Sequence, residues 1–139
     1  MILAVITLAA LENEQGTIEQ STVDTIEELK GYGYSVAYLV DRDESKRADT
    51  EEWFKQVGLS VDVVLRDGIF KNANDGQWKR SMVEALVEGL QSSFTVYVDP
   101  KRVDRDYVAM TRKIIMPFPS LEPLLVNSRL HQRVKLPGD

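Results

Sequence analysis

The sequence predicts an α/β protein, a three-layer α/β/α sandwich around a mainly parallel five-stranded sheet. Three observations carry that expectation. The runs Ile2 to Leu8, Tyr34 to Val40 and Phe94 to Val98 are apolar without a period-two alternation. Such runs mark strands buried on both faces, as in a parallel sheet. Each strand-like run but the last is followed by a segment with helical spacing, in the order βαβαβαβαβ, with short connections. Right-handed crossovers then place helices on both faces of the sheet. The 139 residues show no internal repeat, linker or low-complexity stretch, and are enough for one core.

Strand one, Ile2 to about Leu8, should be central, flanked by Tyr34–Val40 and Phe94–Val98. Residues 12–20 are polar, include Gly16 and read as a loop. Ser21 and Thr22 are expected to cap a helix that runs to Lys30 with Val23, Ile26 and Leu29 on one side, and Gly31 and Gly33 end it. After the strand 34–40, a second helix is expected from Ser45 to Gly58, with Ala48, Trp53, Phe54 and Val57 inward. Strand three is expected over Val61–Leu65. Residues 66–76, RDGIFKNANDG, are turn-rich and read as a functional loop or small flap. A helix over Gln77–Leu90 presents Met82, Val83, Leu86, Val87 and Leu90, and strand four closes at Asp99-Pro100. A short helix over 102–110 leads to strand five, Lys113–Met116. Pro117, Pro119 and Pro123 are expected to end regular structure, with one short helix in the tail. The division expected is a domain over 1–118 and a C-terminal extension, 119–139, that docks on the domain or on a partner.

Composition narrows the chemistry. There is no cysteine, hence no thiolate nucleophile or thiolate metal site, and the single histidine, His131, precludes a His-rich centre. The opening MILAVITLAAL lacks a basic flank and is too short to span a bilayer. It reads as a strand, and the protein as cytoplasmic with no membrane partner. The net charge of −5 is unevenly spread: residues 1–100 carry 9 Lys or Arg against 18 Asp or Glu, residues 101–139 carry 8 against 4. An acidic body argues against sequence-blind nucleic-acid binding, and the basic end leaves room for a local anionic contact.

In open α/β sheets, ligands sit outside the carboxyl ends of the strands. Strand two ends there in Asp41-Arg42-Asp43-Glu44, strand four in Asp99, and Lys79 lies on the helix between. Asp41, Asp43 and Asp99 together could hold a cation. Alternatively Asp41 and Asp43 cap the next helix or pair with Arg42, Arg47 or Lys79, and Lys79 is a surface lysine or the ion partner of Asp99.

Residues 26–59, IEELKGYGYSVAYLVDRDESKRADTEEWFKQVGL, with Arg66, the loop to Gly76, Trp78-Lys79 and FTVYVDP at 94–100, resemble the haloacid dehalogenase-like (HAD-like) superfamily. The nearest likeness is to the 3′-phosphatase domain of phage-type polynucleotide kinases, over residues 1–118. The resemblance implies a Rossmann-like fold, Mg²⁺-dependent phosphomonoester hydrolysis and a phage-type origin. It also implies two strand-one aspartates, a nucleophile and an acid/base. Thr7 and Ala9 stand in those places. Asp41 stands where the family has a phosphate-binding hydroxyl, and Pro100 where it has a second motif IV acid. Lys79 and Asp99 match.

The expectation is therefore a catalytically degenerate HAD-like domain, kept as a binding or regulatory module without a cofactor. It would work with a protein partner or by self-association, through Arg129, Arg133 and Lys135. The competing readings are a Mg²⁺-dependent phosphatase on a phosphorylated nucleotide or nucleic-acid end, using Asp41, Lys79 and Asp99, and a Toprim-like nucleic-acid enzyme. The Toprim-like reading rests on Glu12 with Asp41-Arg42-Asp43. A response-regulator receiver fits less well, for want of an acceptor on strand three.

Overall fold

Residues 2–7 form the central strand because every side chain from Leu3 to Thr7 is buried, leaving no face for water. The computed structural model describes residues 1–133. Along the chain follow β1 (Ile2–Thr7), α1 (Leu8–Leu11), α2 (Gln20–Gly31), β2 (Tyr34–Asp43), α3 (Arg47–Val57), β3 (Val63–Arg66), α4 (Asp75–Gly89), β4 (Phe94–Val98), α5 (Arg102–Ala109), β5 (Ile115–Phe118) and α6 (Leu121–Arg133). The strands form one sheet in the order β3-β2-β1-β4-β5, and every neighbouring pair is parallel. The α/β fold predicted from the unbroken apolar runs is the one observed, with β1 between β2 and β4. The order also differs from the 2-1-3-4-5 order of flavodoxin-like folds.

The sheet separates two apolar layers. Ala4, Ile6, Val36, Tyr38, Val40, Val96 and Val98 belong to one core, which includes Val23, Ile26 and Leu29 of α2 and Phe54 of α3. Leu3, Val5, Ala37, Leu39 and Tyr97 form the other, with Trp78, Val83 and Val87 of α4 and Val108 of α5. Successive strand residues point to opposite faces, so covering both faces removes the alternation from the sequence. Tyr38 and Phe54 meet edge to face with centroids 5.3 Å apart.

Several element ends differ from expectation. β2 runs on to Asp43 because Asp41 and Arg42 are inserted against β3: Val40 pairs with Leu65, and the next pair is Asp43 with Arg66. This two-residue bulge re-aims the end of the strand, as bulges do near strand termini. Ser45 does not begin the second helix. Asp43 instead accepts from the Ser45 N–H at 2.8 Å and caps a 3-10 turn, Glu44–Lys46, before α3. Neither Ser21 nor Thr22 caps α2, whose N-cap is Glu19 without a side-chain bond. α3 ends on Gly58 at φ +93, a left-handed position that suits glycine. Pro117 lies within β5 opposite Tyr97. β5 is an edge strand, where a missing N–H is tolerated. Pro123 lies in the first turn of α6, which has no intrahelical donor to lose. α6 is a 13-residue helix whose Leu121 and Leu124 enter the α2–α3 core. No helix among the described residues is long and apolar enough to cross a membrane.

Candidate functional site

The carboxyl ends of β1, β2 and β4 carry the residues singled out above, and the fold sorts them into two groups. The first is buried. Asp99 follows β4 directly and is fully shielded from solvent. Its Oδ2 accepts from Lys79 Nζ at 3.0 Å and from the Tyr97 hydroxyl at 2.6 Å. Its Oδ1 accepts from the Lys101 backbone N–H at 3.0 Å, and its carbonyl accepts from Arg105 Nη1 at 2.9 Å. Lys79 donates a second bond, at 2.8 Å, to Asp104 Oδ2, whose side chain is 6% exposed. Lys101 Nζ adds a longer contact to Asp104, 3.6 Å.

This cluster exists because three elements deliver one charge each to the same volume. α4 begins with a capping box, Asn74 to the Gln77 N–H at 2.8 Å and Gln77 back to the Asn74 N–H at 3.2 Å. That cap sets the first turn of α4, and Lys79 follows on the next. Gly76 packs closely there: a Cβ on it would stand 3.3 Å from Asp104 Oδ1 and from the Tyr107 ring, so those side chains would have to shift by a few tenths of an ångström. Burial alone would pull the Lys79 ammonium down. The hydrogen bonds and charges of Asp104 and Asp99 outweigh this, and its pKa is raised. The Tyr97 hydroxyl is pushed up, first by burial and then by the Asp99 charge.

The second group is the cleft beyond β2 and β3, about 410 Å³, lined by Asp41, Asp43, Asp67 and Asp75 together with Arg42, Arg66 and Lys71. Arg66 organises it. Its guanidinium donates to Asp75 at 2.8 Å, to Asp41 at 3.3 Å and to the Phe70 and Ala73 carbonyls, and lies 5.3 Å over the Trp78 ring. The 66–76 loop is thereby folded around one side chain. The bond from Arg66 holds the Asp75 carboxyl below its usual range. Asp43 is lowered by the Ser45 N–H it accepts. Lys101 reaches Asp75 at 3.4 Å, so the two groups touch at their rims.

Of the sequence-derived candidates, Lys79 and Asp99 are brought together, whereas Asp41 and Asp43 stay apart from Asp99. Among the described residues, no group of three or more His, Asp and Glu side chains converges as a metal site. That includes Asp41, Asp43 and Asp99, and also Glu12 with Asp41 and Asp43. Glu12 has its pKa raised by partial burial against the opposing charge of Arg42. Nor does the donor set at the strand-one end fit Mg²⁺, which prefers anionic oxygens. Thr7 is buried and spends its hydroxyl on the Val98 carbonyl at 3.0 Å, and Ala9 is an exposed methyl in the α1 turn. Arg129 is occupied within the chain, by Glu28 of α2 through two bonds of 2.7 Å. The Arg133 side chain and Lys135 lie outside the described residues.

Sequence reasoning missed Asp104, Tyr97 and Arg105. Asp104 had a usable signal: it precedes Val108 by one helical turn, so both share the inward face of α5, where both are buried. An acid on a buried stripe requires a partner. The chain matches no protein-family model, no curated protein and no solved structure.

Proposed function

We propose that the chain is a HAD-like domain that does not carry out phosphoryl transfer and works as a binding or regulatory module. The observation that carries this reading is the closed Lys79–Asp99–Asp104–Tyr97 cluster. Lys79 and Asp99 are the two positions that match the resembled family, and both are consumed by each other and by neighbouring side chains. A catalytic acid must lie within hydrogen-bond reach of the reacting group, and a fully buried Asp99 offers no such approach. The Thr7 hydroxyl is already spent on the Val98 carbonyl. Asp41 is accessible but tied to Arg66.

A protein partner or a second copy suits the module better than nucleic acid. Val103, Met110 and Ile114 on and beside α5 are 75%, 71% and 74% exposed, which leaves apolar surface next to the β5 edge.

The test is hydrolysis of p-nitrophenyl phosphate and of a 3′-phosphorylated oligonucleotide with Mg²⁺. The expected rate equals the blank. Turnover that disappears in folded Asp41→Asn or Asp99→Asn protein would overturn the proposal in favour of the phosphatase.

A further inference from the structure

A separate cavity opens at the opposite, amino-terminal end of the sheet. It encloses about 380 Å³ between the starts of β2 and β4, the end of α2 and the last turns of α6. Small-molecule sites commonly occupy about 300–1,000 Å³, mostly apolar with a few polar groups. Here the apolar wall is mostly aromatic, Tyr32, Tyr34 and Phe94 beside Ile2, and the polar groups are Ser93 and Ser128 with Asn127, His131 and Gln132.

Two features prepare this cavity for a ligand. The rings of Tyr32 and Tyr34 are tethered by their polar tips. Tyr32 donates to Glu28 at 2.6 Å, and the Tyr34 hydroxyl lies 3.4 Å from Ser128 Oγ. Rings held in place cost less to order on binding. The second feature is what α6 leaves unspent. Its side-chain bonds to described residues run through Ser128 and Arg129. Asn127, His131 and Gln132 line the cavity without such a bond among the described residues.

Charge selects the ligand class. Among the described residues, no lysine or arginine lines the cavity. Arg129, two residues from Asn127, has both its Nε and Nη2 on Glu28. Among the described residues, a phosphate would find no lysine or arginine in the lining, and the Met1 ammonium stands at its rim, 3.5 Å from Ser93 Oγ. A neutral planar ring would find π faces, and every base has one to stack. The two side-chain amides each offer a donor beside an acceptor, the pattern with which Asn and Gln read the adenine edge.

We infer that this cavity is a binding site for an uncharged planar heterocycle of the purine-base class. This inference is independent of the reading given to the carboxyl-end residues.

The test is saturation-transfer NMR and calorimetric titration of the full 139-residue chain with adenine, adenosine and AMP. Adenine and adenosine are expected to bind, with transfer strongest to the ring protons, and AMP to bind no tighter than adenosine. Asn127→Leu, on an exposed helical position, is expected to weaken adenosine about tenfold by removing one hydrogen-bonding edge. Gln132→Ala serves as a second variant should the first misfold, and Arg102→Ala, at an exposed position on α5 outside this cavity, should leave adenosine affinity unchanged. The inference is overturned by an absence of transfer from all three probes, by AMP binding about tenfold or more above adenosine, or by adenosine affinity that neither Asn127→Leu nor Gln132→Ala changes.

Discussion

Replacing Lys79 by methionine should be among the most damaging single changes on the polar side of this fold. The substitution keeps the length of the side chain and removes the ammonium from between two carboxylates, 3.0 Å from Asp99 and 2.8 Å from Asp104. Those carboxylates are 0% and 6% exposed, so water cannot take over. Removing one partner of a buried ion pair costs about 3–5 kcal/mol, against a total of about 5–15 kcal/mol for a typical domain. Arg80→Ala is the internal control. Its pair with Glu84 is half-buried and four residues apart on α4, and its guanidinium lies 4.9 Å over the Tyr107 ring, with about 1 kcal/mol at stake. Urea unfolding read by circular dichroism should show the Lys79→Met midpoint about 1 M or more lower with an unchanged slope. Adding Asp99→Asn and Asp104→Asn to Lys79→Met should recover most of the loss, since the uncompensated charges are then gone. The sign with pH follows from the raised Lys79 pKa. A base raised on folding contributes fully below its ordinary 10.5, and that contribution is lost as pH rises through its folded value. Tyr97, an acid also raised on folding, adds to the decline from its ordinary 10.0 upward. Wild-type stability should therefore fall in alkali, and less steeply in Lys79→Met. A Lys79→Met midpoint shift no larger than that of Arg80→Ala would refute the reasoning.

Three further outcomes are expected. Leu124→Ala removes a fully buried side chain that anchors α6 in the α2–α3 core, and should cost about 2–5 kcal/mol in the same urea assay. Arg66→Ala should cost about 1–3 kcal/mol by stranding the carbonyls of Phe70 and Ala73, and should speed limited proteolysis between residues 66 and 76; Arg66→Lys should not restore protection, because an ammonium cannot span the same acceptors. Glu28, whose pKa the Arg129 and Tyr32 hydrogen bonds lower to about 2, contributes stability above its ordinary 4.5 that is lost as pH falls toward 2. Tyrosine fluorescence should follow that change at the α2–α6 contact in the wild type and should be flat over the same window in Glu28→Gln.

Much of the fold was legible in the chain, for a local reason. β1, β2 and β4 announce themselves as apolar runs because burial on both faces removes the polar alternation, and any such run between helical segments points to a parallel sheet. Helix spacing likewise identified Val23, Ile26 and Leu29, and Val83 and Val87, as inward residues. That Thr7 and Ala9 carry no carboxylate is also a plain fact of the sequence. Where the pattern misled, the governing contact was long-range. Pro117 reads as a breaker until the strand that holds it is seen to be an edge, and Pro123 until α6 is seen to start at Leu121.

The site depended more heavily on tertiary structure. Lys79, Asp99 and Asp104 are 20 and 25 residues apart in the chain along their two bonds, and no periodicity joins a lysine on α4 to acids beyond β4. That lysine meets its two carboxylates because the β1–β4–β5 order brings α4 and α5 onto one face of the sheet. The same holds for Arg129, a surface cation by composition and a clamp on Glu28 once α6 lies along α2. Patterning follows from each residue's own need for or aversion to water. The partner of a charge depends on which surfaces the packed elements bring together, and that is a property of the whole fold.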